Sequence, residues 1–531
     1  MDSFANLIVT NAKIFTADEL NPFAEVLAVR KNRIVYVGDK NGFEKMRSTN
    51  TRVLDGQGKT LMPGFIDSHF HLLSGAVETA NAQLYEIKSK ESLQESLLRY
   101  REENNPDWVL GNGIKYGIIS TRQELDAIFT DHPIYIEAYD SHTGWANTRA
   151  LELAGILKTG KEIGPNGIVM RDDVGMATGE LREWGAIQTV TDVAPKPNEA
   201  RKRKLLKKAI AQIVATGVTS VHNMNGDPEE ILTYAALEDA GEMSLRVYVP
   251  YTVKPETTKE MLSEAQKMAQ TGGEYIHGGA VKFFMDGVWE SYTALNLEPY
   301  ADNPDASEEG IWSAEGFADM AQACDSLGLQ ISVHACGDGA VRRTLDGFEM
   351  VQIHNGYRDS RHRVEHIEVI HPNDLPRFKE LGVIASMQPL HAPLTLGDGD
   401  IWLTRTGERR WPNSFAWRNI KDAGARMVFG SDWSVADYNP MLGLHAALTR
   451  QPYVSGHQDQ RLRLEELLIG YTREAAYAEF KENEKGKLKE GYLADMVLLS
   501  EDIFNIPPEE IKDVKPIWTM VNGEMAYENP Q

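Results

Sequence analysis

Pro63–His71, with the sequence PGFIDSHFH, is a short apolar run that ends in two histidines one residue apart. Side chains alternate between the two sides of a strand, so residues i and i+2 point the same way. In a strand, the imidazoles of His69 and His71 would therefore leave its end side by side, which suits a shared divalent metal ion. An isolated pair of this kind is usually two ordinary histidines, so the interpretation depends on the rest of the chain.

Four further residues that could bind a metal lie within or at the end of strand-like apolar runs. They are Lys282 in residues 280–287, His334 at the end of 329–334, His366 at the end of 363–366 and Asp432 at the end of 426–432. β-Branched and aromatic residues dominate these runs, which predicts strands that present most of their polar groups near the C-terminal end. A parallel (β/α) barrel collects its catalytic residues at this end.

Three more runs, at 217–221, 244–249 and 382–387, also predict strands, and helical patterns such as 314–327 fall between most of them. With the run before His69, the total is eight. The chain therefore predicts an α/β fold with a (β/α)8 TIM-like barrel at residues 63–485.

Long stretches outside the barrel strands have their own patterns. Both ends of the chain predict short strands separated by turn residues, and Asn522-Gly523 between two such runs is a hairpin signal. An insertion at about residues 77–210 contains a helical stretch at 91–103 and a strand-like run at 133–138. An insertion after the first strand would lie over the barrel mouth, so we expect it to shape the substrate pocket.

The order of H-x-H, Lys, His, His and Asp resembles that of the amidohydrolase superfamily of metal-dependent hydrolases. The closer matches resemble its YtcJ-like branch, which includes N-substituted formamide deformylases. The matching segments span nearly the whole chain: 62–71, 139–147, 281–287, 333–340, 363–366, 429–433 and 486–499. Asn223 and Lys115 depart from the branch, which often has aspartate at both positions. The resemblance supports one small β-sandwich domain built from residues 1–62 and 486–531.

The resemblance also implies a binuclear metal centre. His69, His71, Lys282 and Asp432 would hold one ion, and Lys282, His334 and His366 the other. A bare lysine is protonated near neutral pH and is a poor ligand. In this family the lysine can be carboxylated by carbon dioxide, so Lys282 is expected as a bridging carbamate. Zinc fits these ligands, and iron, manganese or cobalt could occupy the same site.

Such a centre predicts hydrolysis. Two neighbouring divalent ions would leave a bridging hydroxide at neutral pH and polarise the scissile carbonyl. Asp432 could take the proton of the hydroxide and pass it to the leaving amine, as general base and acid. His142, in Asp140-Ser141-His142, could donate to a substrate carbonyl or carboxylate, or could be a structural histidine of a loop. We interpret His222, His391 and His445 as structural.

We therefore expect a metal-dependent amidohydrolase that cleaves the C–N amide bond of a small N-acyl or N-formyl amine. The alternatives are a deaminase or a cyclic amide or lactone hydrolase of the same superfamily. A non-catalytic binding relative would be expected to have lost ligands, whereas all six candidates are present.

Composition sets outer limits on partners and location. A formal net charge of −23 argues against a nucleic-acid partner. Two cysteines, Cys324 and Cys336, provide no disulfide framework, and the N-terminus lacks the features of a signal peptide. The basic run at 201–208 has helical apolar spacing, which favours a solvated helix face. We expect a cytoplasmic protein with a small-molecule substrate and no nucleic-acid or membrane partner, and a homodimer is compatible with the sequence.

Overall fold

The computed structural model describes residues 4–158, 163–164, 167–307, 309–394 and 400–529. The predicted terminal domain includes residues 1–3 and 530–531, which lie outside the described residues. The same holds for residues 159–162 and 165–166 of the predicted insertion.

The N-terminal segment folds into short strands, as its sequence predicts. They are β1 (Leu7–Thr10), β2 (Lys13–Phe15), β3 (Phe23–Ala24), β4 (Val26–Arg30), β5 (Arg33–Gly38), β6 (Arg52–Asp55) and β7 (Thr60–Pro63), with a 3₁₀ turn at Glu44–Met46. One sheet has the order β5-β4-β1-β6, in which β1 is antiparallel to β4 and parallel to β6.

The first barrel strand is followed by a separate α/β unit. The first barrel strand is β8 (Phe65–Phe70). The elements after it are α1 (Leu72–Glu78), β9 (Ala82–Gln83), α2 (Lys90–Asn104), β10 (Val109–Ile114), α3 (Arg122–Asp126), β11 (Ile134–Ala138), β12 (Thr143–Ala146), α4 (Thr148–Ala154), β13 (Ile168–Arg171), β14 (Ala177–Arg182) and α5 (Glu183–Thr191). The sheet of the insertion has the order β13-β14-β12-β11-β10-β9. Its predicted helix and strand are α2 and β11.

The rest of the barrel alternates strands and helices. Its elements are α6 (Glu199–Val214), β15 (Val218–Asn223), α7 (Pro228–Asp239), β16 (Arg246–Tyr248), β17 (Tyr251–Thr252), α8 (Leu262–Gln270), β18 (Ile276–His277), β19 (Ala280–Phe284), α9 (Ala314–Ser326), β20 (Gln330–Ala335), α10 (Asp338–Asn355), β21 (Arg363–His366), α11 (Leu375–Leu381), β22 (Ile384–Met387), α12 (Asp400–Thr406), α13 (Trp417–Asp422), β23 (Arg426–Phe429), α14 (Pro440–Thr449), α15 (Leu464–Gly470) and α16 (Arg473–Ala478). Short 3₁₀ turns lie at Pro372–Asp374, Pro389–His391 and Trp411–Asn413.

The parallel strands close into a barrel. β8, β15 and β16 pair in that order, and β17, β19, β20, β21, β22 and β23 continue the sequence. β16 and β17 are separated only by Val249 and Pro250, and proline has no N–H for the ladder. Beyond β23, the N–H of Asp432 donates to the carbonyl of His69 at 2.8 Å, which joins the last strand to the first. Every strand-like run predicted for the barrel contains a strand.

The C-terminal segment completes the β-sandwich. It contains β24 (Met496–Leu499), a 3₁₀ turn at Pro508–Asp513, β25 (Pro516–Val521) and β26 (Glu524–Glu528). These strands continue the sheet β26-β25-β24-β7-β2-β3. Apolar residues of both sheets, such as Val29 and Trp518, share one buried core. Asn522 and Gly523 both have positive φ, as the predicted hairpin requires. The exact domain boundaries stay a prediction.

The basic run at 201–208 lies on α6. Leu206, Ile210 and Ile213 are buried, whereas Lys204 and Lys207 are exposed, so the basic run is one solvated face of the helix. Cys324 and Cys336 are both buried free thiols. No helix within the described ranges combines the length and the apolar content that a bilayer crossing requires.

A buried ion pair joins the barrel to the sandwich. Arg246 of β16 donates from Nε and Nη2 to the two oxygens of Asp495, at 2.7 and 3.1 Å. Removing one partner of a buried pair leaves an uncompensated charge. We expect Asp495→Asn to reduce the free energy of unfolding by about 3–5 kcal/mol, measured by urea denaturation. The surface pair of Arg52 and Glu528 provides the control, because Glu528→Gln should cost below about 1 kcal/mol. An equal loss in the free energy of unfolding for the two variants would contradict the prediction.

Candidate active site

The six residues predicted to bind metal meet at one end of the barrel. His69 lies near the end of β8 and His71 just after it, Lys282 in β19, His334 in β20 and His366 at the end of β21. Asp432 follows β23. Together they line a chamber of about 780 Å³. The insertion contributes Tyr116, Glu137 and His142 to the same wall, so it lies where the sequence placed it.

Asp432 is at the centre of the cluster. Its Oδ1 lies 2.9 Å from Nε2 of His71 and 3.4 Å from Nε2 of His69, and its Oδ2 lies 3.8 Å from Nδ1 of His366. Burial raises the pKa of Asp432, but the imidazoles of His69 and His71 outweigh it and hold that pKa well below its usual range. The carboxylate is therefore ionised at neutral pH.

Two overlapping groups of potential ligand atoms are present. One contains His69, His366 and Asp432, and the other contains His334, Cys336 and His366; within each, the atoms lie within 4.8 Å of one another. Because His366 belongs to both groups, the arrangement suits two adjacent ions. Cys336 has its Sγ 3.4 Å from Nε2 of His334.

Lys282 is fully buried, and within the described residues its Nζ has no hydrogen-bond partner. The atom lies 4.3 Å from the ring centroid of Phe284. Burial disfavours the charged form and lowers the pKa of Lys282 to about 8. A buried lysine without an acceptor is costly as an ammonium, whereas a neutral amine can react with carbon dioxide.

These residues fit divalent metal ions. Nε2 of His366 is also buried without a partner in the part of the chain that the structure describes. A buried polar atom is normally satisfied, and a ligand lone pair that faces an ion needs no hydrogen bond. Imidazole nitrogens together with carboxylate oxygens suit first-row divalent ions.

The backbone at the site is strained. His366 has φ of 73° and Asp432 has φ of 59°, a left-handed region that side chains rarely adopt. The buried carboxylate of Asp67 accepts hydrogen bonds from the backbone N–H groups of His69 and Ser431, at 3.2 and 3.0 Å. This bridge holds the ends of the first and last strands in place, and such strain persists only where the surroundings impose it.

Glu365 is a supporting residue that sequence reasoning missed. Its Oε2 lies 2.8 Å from Nδ1 of His69, and Arg363 forms an ion pair with its other oxygen at 2.9 Å. Burial lowers the pKa of His69 to about 4, so the ring is neutral. If Nδ1 donates to Glu365, the lone pair of Nε2 points to the metal cluster. In the sequence, two charged residues, Arg363 and Glu365, within the short strand that ends at His366 could have indicated this role.

His142 lies in the chamber, with its ring centroid 5.5 Å from that of His334. Its Nδ1 is 2.9 Å from Oε2 of Glu183, and Oε1 of the same carboxylate accepts a hydrogen bond from the hydroxyl of Ser291 at 3.2 Å. Burial lowers the pKa of His142, but the Glu183 carboxylate outweighs it and raises that pKa to about 9. The structure therefore brings His142 beside the candidate ligands as an imidazolium. Glu183 was not identified from the sequence, where nothing links it to His142.

Replacing Glu183 with Gln should lower the pKa of His142 from about 9 towards or below its ordinary 6.5, because the counter-charge is lost. NMR titration of the His142 ring measures this directly. A raised folded-state pKa stabilises the protein fully below pH 6.5, and this stabilisation is lost as the pH rises through about 9. The variant should lose that component of the pH dependence of unfolding. Glu102→Gln, on the exposed face of α2, is the control; an unchanged His142 titration in the Glu183 variant would refute the pairing.

The three histidines that the sequence suggested as structural lie at different depths. His222 is buried below the cluster, with Nδ1 2.8 Å from Nη1 of Arg363, and His445 is partly exposed on α14. His391 lines the chamber, and its Nε2 lies 3.7 Å from Oδ2 of Asp432. The sequence suggested a structural role for all three, yet His391 has access to the chamber.

Comparison with known proteins agrees with this geometry. Protein LONG AFTER FAR-RED 3 of Arabidopsis thaliana is 31% identical over 98% of this chain and 92% of its own length. N-substituted formamide deformylase of Arthrobacter pascens is 25% identical over 99% of each chain. The crystal structure of an uncharacterized metal-dependent hydrolase from Pyrococcus horikoshii OT3 is 26% identical with a TM-score of 0.76, covering 94% of this chain and 99% of that one.

The predicted relation to the YtcJ-like branch is confirmed, and so is the predicted fold class. The model of the amidohydrolase family matches residues 52–527, which include every candidate ligand. With the match extending from the sandwich through the barrel, this protein belongs to the amidohydrolase family and is a hydrolase of carbon–nitrogen bonds.

Proposed function

We propose that this protein hydrolyses the amide bond of a small N-formyl or N-acyl amine at a binuclear metal centre. The observation that carries the proposal is the convergence of the six candidate ligands at the floor of one chamber, where Lys282 is buried without a partner among the described residues. The similarity to N-substituted formamide deformylase supports the substrate type. The chamber volume of about 780 Å³ suits a small molecule.

His69, His71 and Asp432 would hold one ion, and His334 and His366 the other, with carboxylated Lys282 bridging both. Zinc is the ion we propose, since imidazole and carboxylate ligands suit it. When bound, the ions supply an activated water at neutral pH and positive charge beside the scissile carbonyl.

The protein's own side chains move the protons. Asp432 is ionised and lies among the ligands, so its free oxygen accepts a proton from the attacking water and delivers it to the leaving amine nitrogen. His142, held as a cation by Glu183, donates a hydrogen bond to the carbonyl oxygen of the substrate. This bond strengthens as negative charge develops on that oxygen, which favours the transition state.

The test is amine release from a panel of N-formyl and N-acyl amines, before and after treatment with a chelator, together with metal analysis of the same samples. We expect turnover that the chelator abolishes and that added zinc restores. Turnover that persists without bound metal would refute the metal-dependent mechanism. If two metals are bound per chain and no amide is cleaved, the amide proposal is wrong, and lactones, cyclic amides and aminated rings become the substrates to examine.

A further inference from the structure

We propose that the chamber selects amides that have a cationic group, an ammonium or a guanidinium, on the part of the molecule away from the scissile bond. This inference rests on the proposed function, because it names the substrate class of the same site. It rests on the carboxylates of the chamber wall that are not among the proposed metal ligands.

Five such carboxylates line the chamber, and they come from separate parts of the fold. Two are on the insertion, one at the end of α1 and two on loops after barrel strands: Glu137, Asp140, Glu78, Glu290 and Glu368. Because these elements converge only in the folded chain, the carboxylates surround the space above the metal cluster instead of forming one surface patch.

The hydrogen-bond partners of the five carboxylates are uncharged. The side-chain donors include the hydroxyl of Ser434 to Glu78, of Tyr135 to Glu137 at 3.1 Å, of Tyr116 to Asp140 at 2.7 Å and of Tyr139 to Glu290 at 3.4 Å, and the indole of Trp402 to Glu368 at 2.7 Å. The backbone N–H of His142 also donates to Asp140, at 3.1 Å. Over the described ranges, no lysine or arginine forms an ion pair with any of them. Among the described residues, the wall thus has acceptors that are not directly paired with a lysine or an arginine.

Repulsion between neighbouring carboxylates adds to burial in raising the pKa values of the wall. Burial and then the neighbouring carboxylate of Glu78 raise the pKa of Glu137 to about 8, and burial and then Asp140 raise the pKa of Glu290 to about 7. A bound cation would relieve this repulsion, whereas an anionic substrate would increase it. His142 forms its ion pair with Glu183, and its charge also acts on Asp140. Lys115 lines the chamber as well and forms no ion pair with the five carboxylates among the described residues.

The spacing favours an organic cation over an additional metal ion. Among the described residues, the groups of ligand atoms that lie within 4.8 Å of one another contain none of these five carboxylates. They therefore cannot jointly ligate one small ion. Aromatic side chains line the same space, including Tyr139, Trp184, Phe284 and Trp402. Aromatic faces attract ammonium and guanidinium groups, so carboxylates and rings favour the same ligand class.

The first test compares three amides of equal chain length: the monoformyl derivative of hexamethylenediamine, which is cationic, N-formyl hexylamine, which is neutral, and N-formyl aminocaproate, which is anionic. We expect kcat/KM to be at least about tenfold higher for the cationic amide than for the neutral one, and lowest for the anionic one. The difference should lie mainly in KM. Equal or reversed values would overturn the proposal.

A double variant distinguishes the effect of the wall carboxylates on substrate preference from the effect of the protein's net negative charge. Glu137→Gln with Glu290→Gln should reduce the ratio of the cationic to the neutral kcat/KM by about tenfold. The control pair is Glu102→Gln with Glu103→Gln on the exposed face of α2, which also replaces two glutamates and should leave the ratio unchanged. A preference that persists in the wall variant would overturn the role of these carboxylates.

A binding measurement keeps the inference distinct from the proposed reaction. Hexyltrimethylammonium cannot coordinate a metal, so its binding to the metal-loaded protein reports on the wall; hexanol and hexanesulfonate are the neutral and anionic controls. Calorimetry should show the ammonium bound at least about tenfold more tightly than hexanol. If no amide is hydrolysed but this preference holds, the proposed reaction fails and the cation selectivity stands. If none is hydrolysed and the ammonium binds no better than hexanol, both fail.

Discussion

Asp432→Asn is expected to lower kcat about 10²–10⁴-fold while most of the metal remains bound. The amide keeps the size of the carboxylate and can still present an oxygen to the cluster, 2.9 Å from Nε2 of His71 in the native arrangement. It cannot, however, accept the proton of the attacking water at neutral pH. Single-turnover rates and metal content, measured on the same preparation, separate proton transfer from metal binding.

The control for Asp432→Asn is Asp239→Asn, an exposed aspartate near the end of α7 that should have native kinetics. A near-normal kcat in the Asp432 variant would refute the proton-transfer role. A variant that loses its metals together with its activity would show that Asp432 acts chiefly as a ligand, and the proposed shuttle would then have to be assigned to another group.

Lys282→Ala is expected to lose metal and to reduce kcat/KM by more than about 10³-fold, equivalent to about 4 kcal/mol. The lysine is fully buried and faces the cluster, so truncation removes the proposed bridge and leaves a cavity. Acetate or propionate could occupy this cavity and supply the missing carboxylate oxygens. We therefore expect these anions to restore part of the metal content and of the activity.

Lys282→Met is the matched control for the rescue. Methionine fills most of the space of the lysine stem but provides no amine, so the variant should be inactive and should not respond to acetate. Native mass spectrometry of the unmodified protein should show the added mass of one carbon dioxide, lost in both variants. Two bound metals without that added mass would contradict the carbamate.

The barrel strands could be predicted because each is buried on both faces and therefore reads as a short, nearly continuous apolar run. β20 is an example: Gln330–Ala335 are all buried, and His334 lies near the end of the run. Most of the ligand candidates were identified for the same reason, since a histidine or aspartate at or just after the end of an apolar strand is conspicuous. The fold-level prediction needed the order of several such runs, because no single run is specific.

The supporting residues could not be predicted in this way. Glu365 and His69 are separated by 296 positions, and Glu183 reaches His142 across 41. Each glutamate resembles an ordinary charged residue in the sequence, because its partner is set by where two chain segments meet. His391 illustrates the same limit, since a 3₁₀ turn after β22 directs it into the chamber beside Asp432.

The sequence by itself determined the class of fold, the family and the identity of the candidate ligands, since these depend on local periodicity and on residue order. Only the tertiary structure decided that β8 closes on the segment after β23, that Glu365 orients His69, and that carboxylates from four separate segments surround one chamber. The physical reason is that strand formation is governed by near neighbours along the chain. The charge that a substrate meets is instead the sum over groups brought together through space.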